Sequence, residues 1–208
     1  MGKLTNANII RSVYDNQDDL LRGLMSLYCP DGFDLDVTYS KGVFYKNIPE
    51  PKIKMDLFPQ TSDTIKADST KLPLKKESIN SMVFDPPFVA ASQNKGKPGI
   101  IKTRFGYFKT TYNLWSMYSK SLKEAYRVLK PNGILIFKNQ DCVDSSKQYF
   151  SHCFVMNEAV KFGFYPKDLF ILIAKNRLIN QKSQIHARKF HCYFWVFKKE
   201  LCKVNYYL

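Results

Sequence analysis

The chain has 208 residues, 45% of them hydrophobic, and its 32 basic residues against 18 acidic ones give a formal net charge of +14. This length can bury a sizeable core in a single domain, and the positive charge favours a polyanionic partner, either DNA or RNA. The sequence contains no apolar stretch long enough to cross a bilayer and no basic amphipathic helix, which argues against a membrane partner.

The cysteines and the first residues of the chain predict the cellular compartment of the protein. The start lacks the apolar core of a signal peptide. The cysteines are odd in number and have no metal-ligand spacing, which fits free thiols in a reducing cytoplasm; they are Cys29, Cys142, Cys153, Cys192 and Cys202. We therefore expect a cytoplasmic protein without a metal.

The N-terminal segment is predicted to be a helix that covers a sheet. Its apolar residues recur at helical spacing, and they are Ile9, Ile10, Val13, Tyr14, Leu20, Leu21, Leu24 and Leu27.

Four short strands are predicted next, at residues 33–37, 53–56, 64–68 and 81–84. Apolar runs that alternate with longer amphipathic or irregular stretches are typical of a doubly wound α/β sheet. Each strand contains an acid or is followed by one, namely Asp36, Asp56, Asp68 and Asp85. In open α/β sheets ligands bind beyond the carboxyl ends of the strands, so these acids are placed to meet one ligand.

The fourth strand ends in Asp85-Pro86-Pro87-Phe88. Two prolines cannot donate ladder hydrogen bonds, so the strand must stop and pass into a rigid turn. The Asp85 carboxylate and the Pro86 carbonyl could bind the two N–H groups of a planar amine while Phe88 stacks on its ring. The alternative is an ordinary strand-ending turn, with Asp85 as a cap and Phe88 in the core.

The segment 89–99, followed by Arg104, Tyr107, Phe108 and Lys109, is predicted to be a mobile lid. Basic and aromatic residues together suit a nucleic acid strand, although a solvated insertion is the alternative. A helix over 113–129 and a strand over 134–138 follow. At the end of that strand Lys138, Asn139, Gln140 and Asp141 could line a target pocket or could simply be a polar strand end.

A second helix is predicted at 154–162, followed by strands at 169–174 and 191–197. The basic connection 175–189 between those strands is a candidate phosphate contact, and His186 within it has no assigned chemical role. These elements fill residues 1–208 as one domain with an N-terminal helical segment and no separate target-recognition domain. Target recognition would then come from the two basic loops or from a partner subunit.

The Asp85-Pro86-Pro87-Phe88 motif resembles the signature of class I S-adenosylmethionine-dependent methyltransferases that act on exocyclic amines of nucleic acid bases. That signature is Asp/Asn/Ser-Pro-Pro-aromatic at the end of the fourth strand, and the resemblance runs from about Phe33 to Lys199. It implies a Rossmann-like fold: a seven-stranded, mostly parallel sheet with helices on both faces and an antiparallel closing strand.

The resemblance also implies residues that bind S-adenosylmethionine. Asp36, Thr38, Tyr39 and Gly42 occupy the place of the motif that wraps the methionine part, with one glycine where relatives often have two or three. Asp56 corresponds to the acid that accepts from the ribose hydroxyls, and Asp68 with Ser69 to the contact with the adenine amino group; Asp85 also borders this site. The alternatives are a plain turn at Gly42, a solvated acid at Asp56 and a turn or helix cap at Asp68.

The resemblance therefore implies methyl transfer from S-adenosylmethionine to an amino group of a nucleic acid base, with adenine in DNA favoured. Asp85, Pro86, Pro87 and Phe88 would be the catalytic residues, and the target base would flip out of the stack. The alternatives are the 4-amino group of cytosine, an RNA base, a glutamine amide of a protein, and a non-catalytic nucleic acid binding subunit.

Overall fold

A computed structural model describes residues 9–90, 108–174 and 185–200. Most of the predicted lid and residues 175–184 of the basic connection lie outside these ranges. In chain order the elements are β1 (Val13–Tyr14), α1 (Gln17–Tyr28), β2 (Leu35–Asp36), β3 (Ile53–Asp56), β4 (Ile65–Lys66), β5 (Ile79–Phe84), α2 (Thr111–Val128), β6 (Leu129–Asn139), β7 (Cys142–Asp144), β8 (Lys147–Tyr149), α3 (Ser151–Lys161), β9 (Tyr165–Ile173) and β10 (His191–Lys198).

Eight strands form one sheet in the order β4-β3-β2-β5-β6-β10-β9-β1. Strands β2 to β6 are parallel, and β10 runs antiparallel to both of its neighbours. The Rossmann-like, mostly parallel sheet with an antiparallel closing strand is thus confirmed. The predicted count of seven strands was wrong by one, because β1 adds an edge strand parallel to β9.

The extra strand corrects the prediction of one continuous N-terminal helix. Val13 and Tyr14 pair with Ile171 and Leu172, in keeping with the strand preference of β-branched and aromatic residues. The helix begins only after Asn16, whose side chain accepts hydrogen bonds from the first-turn backbone N–H groups of Asp18 and Asp19.

Other boundaries shift by a few residues. β2 and β4 are shorter than predicted, whereas α2, α3 and β9 begin earlier. β6 begins at Leu129 because that residue already pairs with Ile79, before the main register starts at Ile134. The hairpin of β7 and β8 was not predicted; its turn holds Ser145 and Ser146, both at positive φ.

Helices cover both faces of the sheet, as expected. Leu20, Leu21 and Leu24 of α1 are fully buried against one face, which includes Val83 and Phe194. α2 and α3 cover the other face, where their core residues pack with Phe84, Phe137 and Phe197. Complete burial of one such large apolar side chain contributes about 1.5–3 kcal/mol. The strands β2 to β5, whose carboxyl ends carry the predicted site residues, are therefore held between two packed hydrophobic layers.

The connections from β2 to β5 contain no α-helix. Residues 37–52, 57–64 and 67–78 include only a 3₁₀ turn, at Val43–Tyr45. Because the strands are parallel, each connection begins at the edge of the sheet where the strands end, which we call the carboxyl edge, and returns to the opposite edge. Within the described ranges, no helix combines the length and the apolar character that a bilayer crossing requires.

Candidate active site at the carboxyl edge

The Asp-Pro-Pro-Phe turn leaves β5 at Phe84 and is held by three contacts. The Asp85 backbone N–H donates to Thr38 Oγ1 at 2.8 Å, and Asp85 Oδ2 lies 3.0 Å from Lys138 Nζ. The hydroxyl of Tyr118, a fully buried residue of α2, donates to the carbonyl oxygen of Pro87. The turn is therefore held by the loop after β2, by β6 and by α2.

Lys138 places a positive charge at this turn. Its side chain is 12% exposed and forms an ion pair with Asp85, and its Nζ also donates to Gln17 Oε1 at 3.3 Å. The same Nζ lies 5.1 to 5.7 Å from the ring centroids of Phe44, Phe88 and Phe194. Such partly desolvated cation–π contacts add to the ion pair and hold the lysine in place.

A cavity of about 420 Å³ opens beside Phe88, and we call it the edge cavity. Its lining combines apolar surface with a few polar groups, as is typical of small-ligand sites. The lining residues are Asp15, Gln17, Phe88, Lys138, Gln140, Leu172, Ile173, Ala174, His191 and Cys192.

The four polar residues predicted at the end of β6 have different positions. Lys138 and Gln140 line the edge cavity. Asn139 is fully buried, and its amide has no hydrogen-bond partner among the described residues. Asp141 is bonded instead to His152, with Oδ1 2.7 Å from Nδ1. Alternation of side chains along the strand explains why only two of the four face the cavity.

Asp36, at the end of β2, is buried and fully engaged. Its Oδ1 accepts from the Thr38 backbone N–H at 2.6 Å and from Thr38 Oγ1 at 3.0 Å, and its Oδ2 accepts from the Tyr45 hydroxyl at 2.6 Å. Burial raises the pKa of the Asp36 carboxyl to about 7, although these hydrogen bonds favour the charged form. Asp36 thus organises the loop that follows it.

Gly42 is required by the shape of that loop. It adopts φ +70°, and a Cβ on it would collide with the Tyr39 hydroxyl oxygen. Tyr39 is itself buried, stacks on Tyr45 at a centroid distance of 5.8 Å, and donates to Glu50. Gly42 is a turn glycine that also allows this close approach.

Asp56, at the end of β3, ties the same loop to the sheet. Its Oδ2 accepts from the Ser40 backbone N–H at 2.8 Å, and its Oδ1 accepts from the Phe58 backbone N–H at 2.7 Å. Burial raises the pKa of the Asp56 carboxyl above its usual value despite the two amides. The carboxylate is half-buried, so it is not a freely solvated acid.

Asp68 follows β4 and is the exposed member of the set. Its Oδ1 accepts from the Thr70 backbone N–H and hydroxyl, each at 2.8 Å, which is a local turn. Among the described residues its Oδ2 has no hydrogen-bond partner. Ser69 Oγ lies 2.9 Å from Ser121 Oγ of α2, which fixes this turn against the helix.

The structure brings the predicted residues to one edge. Asp68, Asp56, Asp36 and Asp85 lie at or just beyond the ends of the neighbouring strands β4, β3, β2 and β5, in that spatial order. Thr38 links two of them directly, because its hydroxyl donates to Asp36 and accepts from the Asp85 N–H.

Sequence reasoning missed three residues of this arrangement. Tyr118 looked like an apolar core position of a helix, and its hydroxyl gave no separate signal. Tyr45 follows Gly42 by three residues and was not considered, although it holds Asp36. Gln17 belongs to the N-terminal helix, and its position beside Lys138 depends on tertiary packing.

No family model matches the sequence, and no curated protein matches it either. Among solved structures, the 4+2 cyclase SpnF is similar over 88% of this chain and 82% of its own, with 13% identity and a TM-score of 0.53. That likeness shows the fold alone. Since the neighbour is a cyclase, the function must be argued from the site.

Two further neighbours are DNA methylases by name. One, a Thermus thermophilus protein proposed to be a DNA modification methylase and solved with S-adenosyl-L-methionine, has 18% identity, a TM-score of 0.44 and coverage of 64% of this chain and 53% of its own. The other, the cytosine-N4-specific PvuII DNA methyltransferase, has 18% identity, a TM-score of 0.47 and coverage of 65% and 48%. This chain thus spans about half the length of these proteins.

Proposed function

We propose that this chain transfers a methyl group from S-adenosylmethionine to an exocyclic amino group of a nucleic acid base, with the 6-amino group of adenine in DNA favoured. The observation that carries the proposal is the position of Asp85-Pro86-Pro87-Phe88. The turn lies at the end of a central strand, between the loop that follows Asp36 and the edge cavity.

The donor side of the site is the carboxyl edge of β2, β3 and β4. S-adenosylmethionine, when bound there, would supply an electrophilic methyl group. The chemistry of the residues fits, since the exposed Asp68 has a carboxylate oxygen open to an amino group and the partly exposed Asp56 retains lone pairs for hydroxyl groups. Asp36, Thr38, Tyr39 and Gly42 would shape the loop that encloses the methionine part.

The target side is the turn with the edge cavity. An exocyclic amine is a poor nucleophile because its lone pair is delocalised into the ring. The Asp85 carboxylate and the Pro86 carbonyl would accept its two N–H groups and so favour a pyramidal nitrogen, while Phe88 stacks on the base. Asp85 or water would take the proton that methylation makes acidic, and Pro87 holds the turn through Tyr118.

Access to the amine requires a base outside the stack. A cavity of about 420 Å³ with polar groups on its wall gives room for a flipped base, and extrusion costs a few kcal/mol. The net charge of +14 supplies attraction to a polyanion that helps to offset this cost. The basic loops or a partner subunit would then select the sequence.

One observation favours a second candidate, a non-catalytic nucleic acid binding subunit. The Asp85 carboxylate is already paired with Lys138, and the Asp36 carboxylate is already satisfied by the chain. Such a subunit would bind nucleic acid but would show no methyl transfer. The 4-amino group of cytosine and an RNA base remain alternatives within the enzymatic proposal, because the same acceptors suit them.

The test is incubation of the purified chain with tritium-methyl S-adenosylmethionine and unmethylated DNA or RNA, followed by digestion to nucleosides. Label in 6-methyladenine from DNA is the expected result, with none from Asp85→Ala. Label in 4-methylcytosine or an RNA nucleoside would correct the substrate. If no nucleoside is labelled although the chain binds nucleic acid, the result favours the non-catalytic subunit or a missing partner.

A further inference from the structure

A second cavity, of about 490 Å³, lies on α2 and shares no residue with the edge cavity. It is lined by Thr70, Lys76, Lys120, Lys123, Glu124, Tyr126 and Arg127, and we call it the lysine groove. Lys120, Lys123 and Arg127 recur at i, i+3 and i+7 of the helix, so they share one face. Lys76 joins them from the connection between β4 and β5.

The acid in this groove is neutralised within the chain. Glu124 forms an ion pair with Arg127, at 2.6 Å and 2.9 Å, and accepts the Leu72 backbone N–H at 2.7 Å. Arg127 also donates to the carbonyl oxygens of Leu72 and Leu74. The pair therefore serves as a fixed floor that joins α2 to the chain after β4.

The lysines contribute the net charge of the groove. Lys76 Nζ lies 3.7 Å from Glu77 Oε1, and both side chains are exposed, so this pair is weak. Lys120 and Lys123 are exposed, and no carboxylate of the described ranges lies within ion-pair distance of either. Like charges one helical turn apart repel by about 0.2–0.5 kcal/mol. Three amines that share one groove are a suitable lining for an anion.

We propose that the lysine groove binds phosphates of the nucleic acid backbone beyond the nucleotide that enters the edge cavity. This inference rests on the proposed function. Tyr118 contacts the catalytic turn, and Arg127 lies nine residues further along α2, which is about 13 Å at 1.5 Å per residue. With one phosphate per 3.4 Å on each strand, that distance corresponds to about four nucleotides.

The experiment measures how the affinity for a fluorescent unmethylated duplex depends on salt. The variant K76Q/K120Q/K123Q removes the groove lysines, and the matched control K66Q/K147Q/K167Q removes three exposed lysines from β4, β8 and β9. Each lost phosphate contact lowers the slope of log K against log salt by about 0.9. We expect the groove variant to lose about 2.7 from the slope and the control to lose clearly less.

The outcomes separate the two proposals. Suppose that the wild-type chain binds and methylates nucleic acid and that both variants have equal slopes of log K against log salt. That result would overturn the proposal that the lysine groove binds phosphates and would leave the proposed function intact. A wild-type chain that binds neither DNA nor RNA would overturn both. If the groove variant loses binding only to anionic phosphatidylserine vesicles, the groove is not a nucleic acid site. Melting temperature and S-adenosylmethionine binding should be unchanged in both variants.

Discussion

The carboxyl edge has two halves that differ in how their polar groups are satisfied. On the proposed donor side, at β2 and β3, the carboxylates of Asp36 and Asp56 are held by hydroxyl and backbone N–H groups of the chain itself. On the proposed target side, at β5, β6 and β10, the ion pair of Asp85 and Lys138 borders an open cavity. On the donor side the carboxylates hold a loop in shape, whereas on the target side the hydrogen-bond acceptors lie next to the edge cavity.

Because of this difference, we expect different consequences when a carboxylate is removed from one side or from the other. Loss of a donor-side carboxylate should disturb a loop and its ligand, and loss of Asp85 should disturb chemistry with little effect on the fold. Thr38 connects the halves, so effects at Asp36 can reach the Asp-Pro-Pro-Phe turn.

The largest expected effect is that of Asp85→Ala. Removal of the carboxylate that we propose to accept the amine should lower methyl transfer by at least about 100-fold, as loss of one well-placed transition-state contact does. Asp85→Asn keeps one oxygen acceptor and should retain more activity than Asp85→Ala. Single-turnover transfer of labelled methyl groups measures both, and full activity in Asp85→Ala would exclude the mechanism.

Tyr118→Phe tests how the Asp-Pro-Pro-Phe turn is held on the target side. It removes the hydroxyl that holds the Pro87 carbonyl, so the position of the turn should be less well fixed. The rate of methyl transfer should then fall by about 10- to 100-fold. The affinity for S-adenosylmethionine should not change. Tyr112→Phe, at a position of the same helix that is 68% exposed, is the matched control. A rate for Tyr118→Phe equal to that of the control would show that the bond does not position the turn.

Gly42→Ala tests the loop on the donor side. The new Cβ would collide with the Tyr39 hydroxyl at a backbone position of positive φ, which should cost about 1–3 kcal/mol and weaken S-adenosylmethionine binding. Gly32→Ala is the control, since Gly32 has φ +83° and open space around it. Calorimetric titration should show weaker binding for Gly42→Ala only, and equal affinities would contradict the assigned role.

Asp36 gives a prediction of a different kind, a dependence of stability on pH. Its pKa of about 7 in the folded chain exceeds the ordinary value of 3.8, so between these values the folded state binds a proton that the unfolded state releases. Stability should therefore fall as pH rises from about 4 to about 7. Asp36→Asn should flatten this part of the melting-temperature profile, whereas the exposed Asp31→Asn should leave it unchanged. A profile for Asp36→Asn as steep as the wild type's would contradict the assignment.

The fold was largely predictable because the spacing of apolar residues indicates most of the helices and strands. Ile53–Asp56, which alternates apolar and charged residues, matches the predicted strand, and the largely apolar His191–Lys198 extends its prediction by one residue. β1 was not predictable, because Val13 and Tyr14 also fit the helical spacing of the residues after them. Only pairing with β9, far away in sequence, selects the strand.

The candidate site was predictable where a motif marks it and not where a tertiary contact makes it. Asp85 to Phe88 stand out because two prolines and an acid end an apolar run. Tyr118, by contrast, has helical spacing like any core residue, and its role depends on a carbonyl 31 positions earlier in the chain. A buried hydroxyl must find a partner, but the sequence does not say which one.

The most direct test of the contrast between the two sides is calorimetric titration of S-adenosylmethionine into the wild-type chain and into Asp56→Ala and Asp85→Ala, each first shown by its melting curve to be folded. We predict that the wild type and Asp85→Ala bind with similar affinity and that Asp56→Ala binds much more weakly. No binding to the wild type, or equal affinity in all three chains, would contradict the assignment of a donor side and a target side.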